Sequence, residues 1–265
     1  MYDFHMHTAF SDDGSATIDE MAEAAIAANL TGIAITDHLD PFYPDTEMPF
    51  MIEIDDYEKA LTEAVPRYAG RLDIAAGIEI GMQSGPALEV CEETVSRFSY
   101  DFVIGSVHAS KDKCIHLPEF TEGKTLGQII EDYYTDLIEC IKAYKNYDVL
   151  GHLNVIDRYA GGYAPVDVYL PYAEEALKIA IADGKGIEIN TSSYRYGMGS
   201  RTTPTKEILD LYVSLGGEIL TTGSDAHKPC DVGSDIEKGE QMILSSGLSY
   251  VCTYKNRTPV FHKIG

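Results

Sequence analysis

His5 and His7 stand one residue apart at the end of the short run Asp3-Phe4-His5. Side chains alternate along an extended chain, so both imidazoles lie on one side, where one zinc, iron or manganese ion could take two ligands. Alone, such a pair reads more readily as two hydrogen-bonded strand-end histidines. The other histidines change that reading. Of the eight in the chain, His5, His7, His38, His108, His152 and His227 fall at or just past the C-terminal ends of predicted strands, and Glu79 and Asp225 occupy equivalent places. In a parallel barrel those ends share one face. Six imidazoles and at least two carboxylates exceed the needs of one tetrahedral or octahedral ion, so several divalent transition-metal ions are expected. Adjacent ions usually share a carboxylate and a water, and such a water, deprotonated near neutral pH, is a nucleophile suited to hydrolysing a phosphate ester. His116 and His262 fit no strand exit and are left outside the cluster.

Those residues need a frame that brings them together. Residues 17–29 (TIDEMAEAAIAAN) place alanines and aliphatics at helical spacing, with Ser15 or Thr17 as cap and acids in the first turn. Residues 31–36 (TGIAIT) are a continuous apolar run, read as a buried strand ending at Asp37-His38. A long loop over 39–54 precedes a helix over 56–65 that Pro66 helps to end. Strand 72–80 carries Glu79, helix 87–98 follows, and strand 101–107 delivers His108. Helix 125–144 leads to strand 148–151 and His152, and helix 168–182 to strand 186–189 with its exit Asn190-Thr191. A helix over 204–215 is started by Pro204, and strand 218–222 exits through Gly223-Ser224-Asp225-Ala226-His227. A helix over 232–245 then precedes a last strand or edge segment over 250–254. Strand and helix alternate about seven times, which predicts a parallel sheet with crossover helices, closed into an α/β barrel that occupies residues 1–265 as one domain.

Five cysteines, Cys91, Cys114, Cys140, Cys230 and Cys252, form no CxxC pair and read as packing or surface thiols in a reducing compartment. The first strand begins directly after Met1, leaving no room for a leader, and no apolar run approaches membrane-spanning length; a cytoplasmic protein without membrane contact is expected. The formal net charge of -23 opposes binding to a nucleic-acid backbone. The same field repels a phosphate ester, so an anionic substrate must be drawn in by local positive charge.

The segments HMH, ITDH, GIE, SVH, GH and SDAH, in this order and spacing, resemble the motifs of the PHP (polymerase and histidinol phosphatase) superfamily over nearly the whole chain. GHLNVIDRY (151–159) and EINTSSYRYG (188–197) resemble the monofunctional histidinol-phosphate phosphatases, in which the arginine after each strand contacts substrate phosphate. The resemblance implies a distorted TIM-like (β/α)7 barrel holding three divalent ions. It implies that one ion takes His5, His7, Glu79 and Asp225, and a second Glu79, His108 and His152. The third would take His38, His227 and an acid near the end of HMHTAFSDD, where Asp13 lies in the expected place and Asp12 is its neighbour. Asp225, His227, Arg158 and Arg195 make up the implied catalytic set, the two arginines binding the substrate.

Asp37 could orient a neighbouring imidazole or serve as a loop acid or helix cap. For Arg158 and Arg195 the competing role is a surface ion pair with one of the 43 acids; planar bidentate recognition favours phosphate. Asp40-Pro41-Phe42-Tyr43-Pro44 and Tyr194-Arg195-Tyr196 are candidate walls for the alcohol portion of the ester, or packing devices in a chain with 18 tyrosines. The expected activity is hydrolysis of L-histidinol phosphate to L-histidinol and phosphate, in histidine biosynthesis. Its alternatives are a PHP phosphoesterase acting on nucleotides or other small phosphate esters, and a non-catalytic domain binding metal or a partner. The acidic balance favours a small-molecule ester with a cationic end, whose ammonium group would pair with pocket acids.

Overall fold

The uninterrupted aliphatic runs become strands of a single ring. The computed structural model describes residues 1–199 and 201–265. From the N-terminus, β1 (Tyr2–Asp3) leads through the His5 segment to α1 (Ile18–Ala27), β2 (Gly32–Ile35), the two-residue β3 (His38–Leu39), α2 (Ile54–Arg67), β4 (Asp73–Gly81), α3 (Pro86–Arg97) and β5 (Phe102–Ser106). A small hairpin, β6 (Ala109–Ser110) and β7 (Lys113–Cys114), and the short α4 (Pro118–Thr121) precede α5 (Leu126–Ala143). Then come β8 (Val149–Leu150), α6 (Val166–Ala182), β9 (Gly186–Asn190), the short α7 (Ser192–Arg195), α8 (Lys206–Ser214), β10 (Leu220–Gly223) and α9 (Ile236–Ser245). A hairpin, β11 (Tyr250–Lys255) and β12 (Thr258–Lys263), follows.

Seven parallel strands pair in the order β1-β2-β4-β5-β8-β9-β10, and β3 adds to β4. The ring closes through backbone bonds from Phe4 N to Thr222 O (2.8 Å), Asp225 N to His5 O (2.9 Å) and His7 N to Ala226 O (2.8 Å). This is the closed α/β barrel that the alternation predicted, in the distorted (β/α)7 form that the family resemblance implied. Along each strand one parity faces the helices and the other the interior. Ile74, Ile78 and Ile80 of β4 join the main core, whereas Ala75 packs with Phe4, Ala34, Phe102, Ile104 and Val149 at the lower end of the barrel. Continuing that inner parity upward gives Glu79 on β4, Ser106 and then His108 beyond β5, and Glu188 and Asn190 on β9. The interior is therefore apolar at one end and ionisable at the other.

Local signals place the helices. Thr17 and Glu20 form a reciprocal capping box on α1, as Thr125 and Gln128 do on α5. Several predicted boundaries shift. Thr205, not Pro204, starts α8: its side chain accepts from Ile208 N. α9 begins at Ile236, because Gly233 and Asp235 take left-handed φ of 73° and 59°. α2 runs through Pro66 to Arg67. The last segment is not a barrel strand: β11 pairs antiparallel with β12, which the sequence reading did not foresee, across a turn of Asn256 and Arg257 with φ of 48° and 61° and no glycine to announce it. The hairpin covers the apolar end, where Tyr254 joins the Phe4 cluster and Asp148 accepts from Arg257 Nε at 2.6 Å. No helix among the described residues is long and apolar enough to cross a membrane.

One fully buried tyrosine ties a helix to the strand exits. Tyr57 of α2 donates to Gly77 O (2.8 Å), and its hydroxyl oxygen accepts from Asp37 N (3.2 Å). Tyr57→Phe leaves both groups buried without a partner and should destabilise the fold by about 1–3 kcal/mol. A urea titration with the wild-type midpoint would show that these two bonds contribute nothing.

Candidate metal centre

The loop after β1 and the exits of β2, β4, β5, β8 and β10 bring every sequence-predicted ligand to one end of the barrel. His5 Nε2 and His7 Nε2 are 3.1 Å apart; Glu79 Oε2 lies 3.2 Å from the first and 3.6 Å from the second, and Asp225 Oδ1 is 3.4 Å from His7 Nε2. On the other carboxylate oxygen, Glu79 Oε1 is 3.1 Å from His152 Nε2 and 3.5 Å from His108 Nε2. Glu79 thus stands between two groups of imidazoles. In a third group, Asp13 Oδ2 is 2.9 Å from His227 Nε2 and 3.9 Å from His38 Nε2. Asp12 is turned away, accepting from Phe50 N at 2.8 Å, so the geometry separates the two neighbouring acids. His38 reaches inward with its second nitrogen as well, Nδ1 lying 3.2 Å from Glu79 Oε2.

Three histidines are held from behind. Glu188 Oε1 is 2.7 Å from His5 Nδ1, Asp40 Oδ1 is 2.7 Å from His108 Nδ1, and the Asp225 carbonyl is 3.0 Å from His227 Nδ1. Each contact favours the tautomer with the proton on Nδ1, leaving the Nε2 lone pair for a cation. Two glycines make the approach possible: a Cβ on Gly223 would lie 2.3 Å from Glu188 Oε1, and one on Gly81 would lie 1.8 Å from Asp40 Oδ1. Sequence reasoning missed Glu188 and Asp40. Glu188 announces itself only as a charged residue inside an otherwise apolar strand, and Asp40 only as an acid two positions after His38. Asp37, which the sequence offered as an imidazole-orienting acid, touches no imidazole. It accepts from Thr8 N and Oγ1 and from Ser11 N and Oγ, at 2.6 to 3.2 Å, and so folds the loop after His7.

The electrostatics favour positive charge at the imidazole tips. Burial pushes the His5 pKa down, but Glu188, Glu79 and Asp225 override it and hold it well above the usual value. Burial together with the neighbouring His38 and His227 pushes His7 down to about 3. Burial raises Glu79 and Asp225, yet the surrounding imidazoles, His5 foremost, hold both carboxyls well below the ordinary range. Glu79 Oε2, His38 Nδ1 and His152 Nδ1 are buried and make no hydrogen bond among the described residues. Unpaired buried carboxylate and imidazole atoms, ionised acids and Nε2 lone pairs converging within a few ångströms form a donor set that fits divalent transition metals.

A cleft of about 300 Å³ opens onto this cluster. His38, Glu79, His108, His152, Asp225, His227 and Asp13 form its floor, and Tyr43, Phe50, His116, Tyr159 and Tyr196 much of its wall. His116, left out of the site by the sequence, lies in that wall with Nδ1 3.1 Å from the Tyr43 hydroxyl; His262 is in the terminal hairpin, bonded to Tyr2 and Thr253. Arg158 lines the cleft; Arg195, on the neighbouring α7, donates Nη2 to the carbonyls of Ser224 (3.1 Å) and Asp225 (2.8 Å). Arg67, Arg71, Arg97, Arg201 and Arg257 each hold a carboxylate within 3.1 Å. Among the described residues Arg158 has none within 4.0 Å, and Arg195 reaches only Asp231, at 3.8 Å. The surface ion pair weighed against phosphate binding is thus not what Arg158 makes. The expected pocket acids are not there either: Asp13, Glu79 and Asp225 are the only carboxylates that line the cleft among the described residues.

The PHP domain family model matches residues 3–192. A probable histidinol-phosphatase of Deinococcus radiodurans is 31% identical over 236 residues, spanning 87% of this chain and 88% of that protein. One from Clostridium acetobutylicum is 29% identical over 255 residues, with 95% and 96% covered. The crystal structure of histidinol phosphate phosphatase from Lactococcus lactis, complexed with zinc, L-histidinol and phosphate, shares the fold with a TM-score of 0.88 at 24% identity, covering 98% of each chain.

Glu188 gives the centre a test independent of catalysis. Glu188→Gln keeps the shape but removes the charge behind His5, and should lower metal affinity about 10- to 100-fold, the usual loss when a ligand's hydrogen-bond partner is changed. Competition with a chromophoric chelator measures it, and wild-type retention of zinc would show that Glu188 does not support the ligand.

Proposed function

This chain belongs to the PHP domain family, and on that premise we propose that it is a metal-dependent phosphomonoesterase of histidine biosynthesis, hydrolysing L-histidinol phosphate to L-histidinol and phosphate. The observation that carries the reading is Arg158: a guanidinium without a carboxylate partner, in a chain of net charge -23, on the wall of the cleft whose floor is the imidazole and carboxylate cluster. Relatives described as probable histidinol-phosphatases, matched along nearly their full length, supply the substrate.

The proposal assigns His5, His7, Glu79 and Asp225 to one ion, Glu79, His108 and His152 to a second, and His38, His227 and Asp13 to a third. Zinc, which the Lactococcus lactis protein holds, is one of the metals this donor set suits, with iron and manganese. Divalent ions held there would acidify a water and draw charge from the phosphoryl oxygens as the ester bond breaks. Arg158 and Arg195 hold that phosphoryl group. Arg158 Nε and Arg195 Nη1 are buried donors without an acceptor among the described residues, and nonbridging oxygens can provide one. Water adds to phosphorus, the P–O bond to the alcohol breaks, and the proton ends on the alcohol oxygen. The cationic end of histidinol meets the rings of Tyr43, Phe50, His116 and Tyr159, so its selection rests on π faces, with no spare carboxylate to pair with. We place the reaction in the cytoplasm, where five free thiols, four of them buried, are at home.

Two measurements test this reading. The metal-replete protein should show a higher kcat/KM for histidinol phosphate than for AMP or a simple aryl phosphate at one pH and salt concentration; equal or better turnover of AMP would replace the substrate, and no phosphate release from any ester would point to the non-catalytic alternative. Arg158→Ala should lower kcat/KM by about 2–4 kcal/mol, roughly 30- to 1,000-fold, with metal content unchanged. Arg195→Ala should lower it as well. Glu79→Gln should do the greatest damage and release metal, because its two oxygens serve both imidazole groups.

A further inference from the structure

Arg158 owes its orientation to one short segment. Its Nη2 donates to Ser192 Oγ at 2.8 Å, and its guanidinium carbon lies 3.8 Å from the centre of the Tyr196 ring. The same ring is 5.7 Å from the Arg195 guanidinium, so one tyrosine stands beside both arginines. Two like charges are thereby held near each other, and for Arg158 the ring quadrupole stands in place of the carboxylate that the other arginines use. Ser192 is completely buried, and its hydroxyl is a junction. Besides accepting from Arg158 it bonds to Asn190 Oδ1 and lies 3.3 Å from Asp225 Oδ2. Asn190 Nδ2 in turn donates to Glu188 Oε2 at 3.1 Å, the carboxylate whose other oxygen meets His5. A chain of buried polar contacts therefore runs from the wall arginine to the base of the metal centre.

We propose that Ser192 and Tyr196 are positioning residues that fix the Arg158 guanidinium beside Asp225, so that anion and metal are gripped in one register. Ser192 sets the in-plane direction of the fork through one hydrogen bond, and Tyr196 sets the plane by stacking. Without them a long side chain with about 2 kcal/mol of rotamer entropy is free to swing toward one of the chain's many acids. The inference rests on the reading of Arg158 as a phosphate ligand, and it predicts that the effect of both residues on phosphate binding runs mainly through that arginine.

The experiment is a double-mutant cycle on the zinc-loaded, full-length protein, read by calorimetric affinity for inorganic phosphate and by KM and kcat for histidinol phosphate, with zinc content measured on each variant. Ser192→Ala and Tyr196→Leu should each weaken phosphate binding about 3- to 30-fold, the range of one charge-assisted bond or one cation–π contact, and raise KM more than they lower kcat. Tyr196→Phe keeps the ring and should stay within about twofold of wild type. In an Arg158→Ala background, either change should cost clearly less than it does in the wild type, because the main group being positioned is gone. Full additivity in that background, or wild-type affinity in Tyr196→Leu while Arg158→Ala loses it, would overturn the positioning role alone. Wild-type phosphate affinity in Arg158→Ala would instead remove the phosphate role of the arginine, and the positioning role with it. Tyr196 is half exposed, so its variants should fold even where a change at Ser192 does not.

Discussion

Glu79 is a fully buried carboxylate with imidazoles on both sides, and most of the barrel's upper half answers to that fact. An ionised acid removed from water costs several kcal/mol unless charge and hydrogen bonds replace the solvent. Oε1 accepts from Ser106 Oγ at 2.6 Å and faces His152, while Oε2 faces His5 and His38 without a hydrogen bond. The imidazoles that compensate it are themselves buried, and they need Glu188, Asp40 and Asp225 for their own stability. Each ring of support therefore requires another outside it, which is why polar residues extend from the cluster into Asn190 and Ser192 before packing becomes apolar.

Such a centre is held open by rigidity elsewhere. At the opposite end of the barrel Phe4, Phe102, Ile104, Val149 and Tyr254 fill the interior, and Asp101 and Asp148 fasten the terminal hairpin across the strand starts through Lys255, Asn256 and Arg257. Apolar packing and ion pairs there supply the stability that converging carboxylates subtract. The hydrogen bonds of Tyr57 and Asp37 transmit that order to the loops carrying His7 and His38.

The sequence disclosed the part of this design that repeats. Six histidines at strand exits are visible because alternation of strand and helix sends every exit to one face, and Glu79 and Asp225 fall on the same rule. The supporting acids escape it for physical reasons. Glu188 acts by reaching sideways from β9 to His5 just past β1, strands that are not neighbours in the ring, past a glycine on β10 that leaves room for it. Asp40 acts across to His108, 68 positions along the chain. Neither distance has a periodic signature. The β12 strand escaped because its turn uses Asn256 and Arg257 where a glycine would have signalled it, and His116 because it belongs to a wall loop and no strand exit.

The charge balance of the whole chain acquires a meaning from these placements. Forty-three acids surround seven arginines, and five of those arginines are paired with carboxylates, as a field of that sign demands. Keeping Arg158 from the same fate requires that every acid near the cleft be occupied already. Asp13, Glu79 and Asp225 are committed to imidazoles, Asp40 and Glu188 to the backs of His108 and His5, and Asp157 to Arg201 at 2.8 Å. The acids next to the cleft thus spend their charge inward, and a guanidinium mounted on a tyrosine remains as the positive group proposed to meet an incoming phosphate at the wall. Local positive charge inside a repelling field selects small anions that carry their own cation, because an ester of pure negative charge pays the repulsion in full on approach.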